Sequence, residues 1–332
     1  MTLKIGWIGC GVHATEMLLP QLMRHDVGIA ALCDIDAARL ARAGRQFGVA
    51  RLVSDAHALI KTPGLDAVGM AVGPDQHLAF GLAALERGLP VFMEKPPSGT
   101  AEGARKLRAA SERAQKPLLL GFMKRYSTGN KIARNIINSG RFGDVLGLTG
   151  YYMTAPGYFT GNVDYTGFLL HHCVHYMDLV SFFTGSPVTK IAARKVEKTP
   201  GRLLFHAHFD FAGGAIGTVA MGTIQSRGAP VERIEIMGDH QRIEIDGVTD
   251  VRWHRNPPFK SDNADASLID GEDTLTWKPN FTAAANEDFK GYHALLADVV
   301  AALGGGTSAA PTIHDGLVAM ERLEILRREL GV

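Results

Sequence analysis

The sequence predicts an α/β fold: an N-terminal doubly wound parallel sheet, followed by an α+β half with a large, open, mostly antiparallel sheet. Three observations predict it. Short apolar runs alternate with helical patterns up to residue 122. The first run ends in a glycine-rich turn that opens a helix. From Pro187 onward the helical patterns give way to consecutive β-rich segments separated by turn residues.

In chain order, Leu3 to Ile8 is a short apolar strand running into Gly9-Cys10-Gly11-Val12-His13-Ala14. This is G-x-G-x-x-A between a strand and a helix. Gly9 permits a tight turn, Gly11 lets the backbone approach a pyrophosphate, and Ala14 allows close helix–strand packing. The free N–H groups and positive dipole end of the helix, at Cys10, Val12 and His13, suit phosphate. Val27 to Cys33 is a second strand and ends in Asp34, 20 residues past Ala14. A carboxylate there accepts from adenosine ribose hydroxyls and repels a 2′-phosphate. No cation follows at once, since Ile35 and Asp36 come next, so NAD is expected rather than NADP. The other reading of Asp34 is the N-cap of a helix from Ala37 to Phe47.

The alternation continues through a strand at Arg51–Val53 and a helix at Asp55–Ile60. Leu65–Val72 is the fourth strand and ends at Gly73-Pro74-Asp75-Gln76-His77, where a helix closing at Gly88 begins. Leu89-Pro-Val-Phe-Met93 then delivers Glu94-Lys95-Pro96-Pro97. The two prolines stop the strand, because neither can donate to a ladder. A Glu and a Lys thus stand at the carboxyl end of a strand, where open α/β sheets bind ligands. A lysine in a partly desolvated site trades protons near neutrality; the alternative is a solvated ion pair. Ala101–Ala114 is helical and Leu118–Phe122 is the sixth strand.

In the second half, Asn130–Ile137 reads as a helix and Asp144–Met153 as a long strand. The loop 154–166 carries Tyr158, Asn162, Asp164 and Tyr165, groups that hydrogen-bond hydroxyls and stack on sugar faces. Gly167 to Val180 reads as one helix, with His171, His175 and Asp178 at i, i+4 and i+7 on one face. Strands follow at Thr189–Lys195, Leu203–Phe211, Ala215–Gln225, Val231–Met237, Gln241–Ile245 and Leu275–Trp277. Asn256–Asp265 is a loop. Helices at Ala284–Leu303 and Ile313–Leu330 are expected to cover the sheet and return toward the first domain.

Composition sets outer bounds. A net charge of +1 gives no electrostatic case for nucleic acid or an anionic membrane. Cys10, Cys33 and Cys173 are odd in number and scattered, which suggests reduced thiols in a reducing compartment. The opening Met1-Thr-Leu-Lys goes straight into a strand, so no signal peptide is expected, and no apolar run is long enough to span a bilayer. A cytoplasmic protein is expected.

The G-x-G-x-x-A turn, the P-x-x-H at Pro74–His77, the E-K-P at Glu94–Pro96 and Gly121-Phe122-Met123-Lys124-Arg125-Tyr126 together resemble the Gfo/Idh/MocA family. That family includes glucose–fructose oxidoreductase and inositol dehydrogenase. The resemblance covers nearly the whole chain. It implies that Lys95 is the catalytic lysine, and that Glu94, Pro74 and His77 line the nicotinamide half of NAD. It also implies that His175 is a catalytic-site histidine with Asp178 as its partner. The family's G-G-x-x-x-D-x-G-x-H-x-x-D has His171 here for its first Asp and Cys173 for its middle Gly.

The expectation is a dinucleotide-binding domain over residues 1–122 and a substrate and oligomerisation domain over 123–332. The expected activity is NAD-dependent oxidation of a secondary hydroxyl of a sugar, polyol or related cyclic compound, or the reverse. Lys95 and His175 are the expected acid/base groups, with His171 beside them. Arg125, Tyr126, Tyr158 and Asp178 are expected at the substrate, which would lie between nicotinamide and the His171–His175 helix. Alternatives are redox-assisted glycoside cleavage, which uses the same residues, and a non-catalytic NAD-sensing protein, which Lys95 and His175 argue against. No metal is expected: His172 stands where a metalloprotease helix has its general-base Glu, and a divalent cation beside Lys95 would meet an ammonium. The resemblance further implies a homodimer or homotetramer formed through the open sheet face.

Overall fold

The computed structural model describes residues 2–155, 165–226, 229–255, 274–279 and 288–332. The chain forms two compact units. The first comprises Met1–Met123 and Gly291–Glu324, the second Lys124–Lys290 and Ile325–Val332.

The first unit is built on a six-stranded parallel sheet ordered β3-β2-β1-β4-β5-β6. Its strands are β1 (Leu3–Ile8), β2 (Val27–Cys33), β3 (Leu52–Val53), β4 (Ala67–Met70), β5 (Val91–Met93) and β6 (Leu118–Leu120). All four residues of β4 and all three of β5 and β6 are buried, as continuous apolar runs in a covered parallel sheet must be. The connections are α1 (Leu19–Leu22), preceded by a π-helical segment Ala14–Leu18, then α2 (Ala37–Phe47), α3 (Ala56–Ile60), α4 (Pro74–Glu86) and α5 (Ala101–Ala114). Strand order reverses direction between β1 and β4. That switch point is where ligands settle in such sheets.

In the second unit, α6 (Thr128–Asn138) precedes an eight-stranded sheet ordered β14-β13-β12-β11-β7-β10-β9-β8. β7 (Val145–Met153) comes first in the chain. The helical stretch α7 (Tyr165–Phe168), a π segment Leu169–Cys173 and α8 (Val174–Thr184) follows. Then come β8 (Val188–Thr199), β9 (Arg202–Phe211), β10 (Ile216–Gly222), β11 (Val231–Gly238), β12 (Gln241–Asp246), β13 (Asp250–His254) and β14 (Thr274–Trp277). Every pairing is antiparallel except β10 with β7. Along β9, Leu203, Phe205, Ala207, Phe209 and Phe211 are buried while the residues between them are not, so one face holds the core.

Two helices close the chain. α9 (Tyr292–Leu303) starts at Gly291, whose φ of +97° suits glycine. It therefore begins later than the sequence pattern suggests: residues 288–290 are not helical, and 284–287 lie outside the described residues. α10 (Ile313–Leu330) follows. The Leu120 N–H donates to the Pro311 carbonyl at 2.8 Å, and the Ala101 N–H to Glu324 Oε1 at 2.7 Å, which ties the stretch 291–324 to the first unit. Among the described residues no helix is long and apolar enough to cross a membrane.

Candidate functional site

The turn after β1 is shaped by contacts that exclude side chains. Gly9 has φ +93°, and a Cβ there would collide with the Ala71 carbonyl oxygen at the end of β4. At Gly11 a Cβ would meet nothing within 4 Å, so its backbone is open to approach. Ala14 is buried at the start of the π segment, whereas Val12 and His13 face outward. The Cys10 N–H donates to Asp34 Oδ2 at 2.8 Å and the Asp36 N–H to Asp34 Oδ1 at 2.8 Å. Asp34 therefore holds the glycine-rich turn in place. It does not cap α2; Asp36 does, accepting from the Ala38 and Arg39 N–H groups.

Gly9, Gly11, Asp34, Gly73 and Gln76 line a cavity of about 570 Å³, together with Arg39 from the first turn of α2. Arg39 Nε lies 3.4 Å from Asp36 Oδ2. The residues fit a dinucleotide: a glycine cradle with an open backbone, a helix start behind it, and a fixed carboxylate at the end of β2. A cation at the Asp34 end of the cavity was not apparent from the two residues following Asp34.

At the end of β4, Gly73 precedes Pro74, the first residue of α4. His77 is 1% exposed. The Val72 N–H donates to His77 Nε2 at 3.2 Å, which puts the ring proton on Nδ1, and Nδ1–H donates to the Pro96 carbonyl at 2.8 Å. The imidazole thus pins the E-K-P turn to the end of β4.

Glu94 follows β5 directly and is 5% exposed. Its Oε2 accepts from the Lys95 N–H at 3.2 Å, and Oε1 lies 3.5 Å from His13 Nε2. Burial pushes this carboxyl up. The His13 ring, the Lys95 ammonium and the Lys95 N–H outweigh burial and hold it below its ordinary value. The backbone of Gly121 passes directly beneath the carboxylate. Lys95 itself is half-buried at the carboxyl end of the strand.

In the second unit, Arg125 forms a two-pronged pair with buried Asp178: Nε reaches Oδ2 at 2.8 Å, and Nη2 pairs with Oδ1. The guanidinium also stands 5.8 Å from the Phe182 ring centroid. His175 is buried on α8 and Tyr126 is half-buried. His171 is exposed. The π segment is the reason the expected single face changes: a wider turn before α8 shifts the phase, so 171 turns outward while 175 and 178 turn inward. Tyr158, Asn162 and Asp164 lie outside the described residues, as do the side chains of Tyr165 and Thr166.

The same turn directs His172 onto Tyr152 of β7, with Nδ1 2.5 Å from the phenolic oxygen and the rings stacked at 5.3 Å. Lys124, buried, pairs with Glu232 of β11 and lies 5.5 Å from the Tyr152 ring centroid. The Tyr176 hydroxyl donates to Glu232 at 3.2 Å. Burial, with Glu232 beside it, pushes the Tyr176 phenol well above its ordinary value. None of these five was read as a site residue from sequence, although His172 entered the case against a metal. The signal was partly present, since Lys124 lies inside the quoted G-F-M-K-R-Y. Among the described residues no three His, Cys, Asp or Glu side chains group in a way that could hold a metal ion.

Residues 3–122 match an oxidoreductase family described as an NAD-binding Rossmann fold, and residues 131–244 match the GFO/IDH/MocA C-terminal domain. Inositol 2-dehydrogenase 2 of Saccharopolyspora erythraea is 31% identical over 195 residues, covering 58% of this chain and 57% of that protein. Matches of higher identity to other inositol 2-dehydrogenases span about half of their length or less. Inositol 2-dehydrogenase of Azotobacter vinelandii is 26% identical over 330 residues, covering 96% of this chain and 91% of that protein. Among solved structures, a dehydrogenase from Chromobacterium violaceum superimposes with a TM-score of 0.87 at 23% identity, covering 99% of this chain and 95% of that one; at this identity the likeness is one of fold.

Proposed function

The chain belongs to the Gfo/Idh/MocA oxidoreductase family, and from that premise we propose that it is an NAD-dependent dehydrogenase of a sugar, polyol or related cyclic alcohol. One observation carries the proposal. The glycine cradle with Asp34 and the Glu94-Lys95 pair stand at the carboxyl ends of strands in one parallel sheet. That is the end at which such sheets take ligands. The inositol 2-dehydrogenase relatives support the substrate class.

Bound NAD supplies the hydride acceptor. The roles proposed for the protein are proton handling and orientation. Lys95 takes the hydroxyl proton as hydride leaves, and returns it in the reverse direction. His175, buried on α8, assists. Arg125 and Asp178 satisfy one another, so their proposed part is to fix α8 rather than to grip substrate directly. Tyr126, Tyr158 and exposed His171 are proposed as substrate contacts. Asp34 selects NAD, and Arg39, which lines the same cavity, is the cation that would relax that choice. The subunits associate as a homo-oligomer.

The test is a screen of sugars, sugar acids and cyclitols with NAD and with NADP. NADH formation with at least one of them, lost on Lys95→Ala while NAD affinity stays within a few-fold, is the expected result. General acid–base help of this kind is worth ~10²–10⁴ in rate. Hydride transfer in Lys95→Ala near the wild-type rate would end the role given to Lys95. Release of an aglycone with no net NADH would report elimination chemistry instead of simple dehydrogenation.

A further inference from the structure

We propose that His13 competes with the nicotinamide half of the dinucleotide for the Glu94 carboxylate, so that protonating His13 weakens cofactor binding. The inference rests on the NAD-binding reading above.

The strand order places the contact. β1 and β5 are not neighbours; β4 lies between them. His13 follows β1 and Glu94 follows β5, so the 3.5 Å contact between their side chains passes over the carboxyl end of β4. That is next to the switch point, on the path a dinucleotide takes from the glycine turn toward Lys95. The His13 ring is held there from one side by Tyr292 of α9, edge-on at 5.6 Å. Nearly half of the His13 side chain is exposed, whereas Glu94 is buried beneath it. A proton therefore reaches His13 from solvent, and a ligand approaching Glu94 meets His13 first.

Glu94 has little else to bind with. Its Oε2 accepts from the Lys95 N–H, and among the described residues Oε1 has no hydrogen-bond donor and faces the His13 ring. A buried carboxylate oxygen is costly to leave without a donor, so a hydroxyl arriving at Oε1 is strongly favoured unless a cation is already there. Among the described residues, Glu94 at 3.5 Å and Tyr292 on α9 face His13, with Glu16 one turn along its own segment; the Lys95 ammonium acts on Glu94. His77 of α4 is committed to Val72 and Pro96.

The sign follows from which state holds the proton. Protonated His13 forms an ion pair with Glu94 that a cofactor hydroxyl must loosen, so binding releases a proton. Affinity then falls as pH drops, by at most tenfold per pH unit for one proton. The Lys95 ammonium acts on the same carboxylate, and the His13→Gln profile separates its effect from that of His13.

The experiment is calorimetric titration of the intact protein with NAD and, separately, with AMP, which occupies only the adenosine half. The pH runs from 8 to 5.5, the range in which imidazole side chains change charge. The expected result is a three- to tenfold weakening of NAD at the acid end, with AMP flat. His13→Gln, which retains a donor but does not titrate, flattens the NAD profile and binds NAD more tightly than wild type at pH 5.5. Glu94→Gln flattens it as well, and serves if His13→Gln does not fold. A flat wild-type profile, or an equal slope in His13→Gln, overturns the competition and leaves the NAD reading standing. Binding of neither ligand at any pH sinks both.

Discussion

Glu94 sits where it does because residue 121 has no side chain. A Cβ on Gly121 would stand 2.5 Å from Glu94 Oε1. The only relief is to move a buried carboxylate away from His13 and the Lys95 N–H, where it is stabilised. Gly121→Ala is therefore expected to weaken NAD on the order of tenfold, since misplacing a buried charged acceptor costs 1–3 kcal/mol. AMP affinity should hold. Wild-type NAD affinity in this variant would show that Glu94 takes no part in binding. The cysteines give a second test at this scale. All three are free and buried. Burial, with Asp34 adding to it, pushes Cys10 up to about 12 and Cys33 up to about 11; burial alone lifts Cys173 well above its ordinary value. Thiols rather than thiolates are present at pH 8, so Ellman's reagent should label none of them in the native protein and all three in guanidinium. Rapid native labelling of any one would contradict this burial.

At the scale of elements, His77 joins two of them. Its ring accepts from Val72 at the end of β4 and donates to Pro96 after β5. His77→Phe fills the space but strands a buried N–H and a buried carbonyl, at a cost of about 2–5 kcal/mol. Urea unfolding is the check, and a variant as stable as wild type would return His77 to the purely cofactor-lining role its motif suggests. How much of this was legible varies with the range of the interaction. β1, β2, α5 and α10 end where the sequence pattern ends, because their signals are local: apolar runs, Thr100 as a cap on α5, glycine after the last turn. β13 was not foreseen, since Val-Arg-Trp-His is short and owes its pairing to β12. In Asp34-Ile35-Asp36 two carboxylates compete for one cap, and only the position of the Cys10 N–H, 24 residues away, decides between them. The π segment is the largest departure. A period of 3.6 drawn through 167–180 puts His171 with His175, whereas a wider turn gives that place to neither neighbour and sends His172 to Tyr152 on β7. Lys124 and Glu232 lie 108 positions apart and carry no periodic signal at all.

At the scale of the whole molecule, the sheet of the second unit has a face on which described residues stand exposed. Register places Val196, Leu204, Gly222, Met153 and Val231 side by side across five strands, on the side opposite the core. Val196 is 72% exposed, and farther along β10 on this face Ile216 is 65% exposed. Near the other edge, Glu244 is ringed by Arg242 at 2.7 Å, Arg252 at 3.1 Å and His254 at 3.4 Å, with Arg233 at 3.8 Å. Burial pushes its carboxyl up, but these cations outweigh burial and hold it below its ordinary value. One apolar row, with Ile216 farther along β10, beside satisfied charges suits association better than open solvent. The size is sufficient. Eight strands about 4.8 Å apart span ~38 Å, and strands of this length rise ~20–30 Å. The face therefore offers ~800–1,000 Å² per partner, near the ~800 Å² of a standard interface. A second copy is the occupant expected, because a two-fold pairing needs only this one patch on each subunit. Ile216→Asp places a carboxylate on that face in both copies at once, where desolvation leaves it without a partner. Light scattering behind size exclusion should give a dimer or tetramer for wild type and a monomer for the variant at micromolar concentration. Thermal unfolding of the isolated variant should remain cooperative, since Ile216 contributes nothing to the core. A monomeric wild type, or an Ile216→Asp protein of unchanged mass, would leave this face open to solvent.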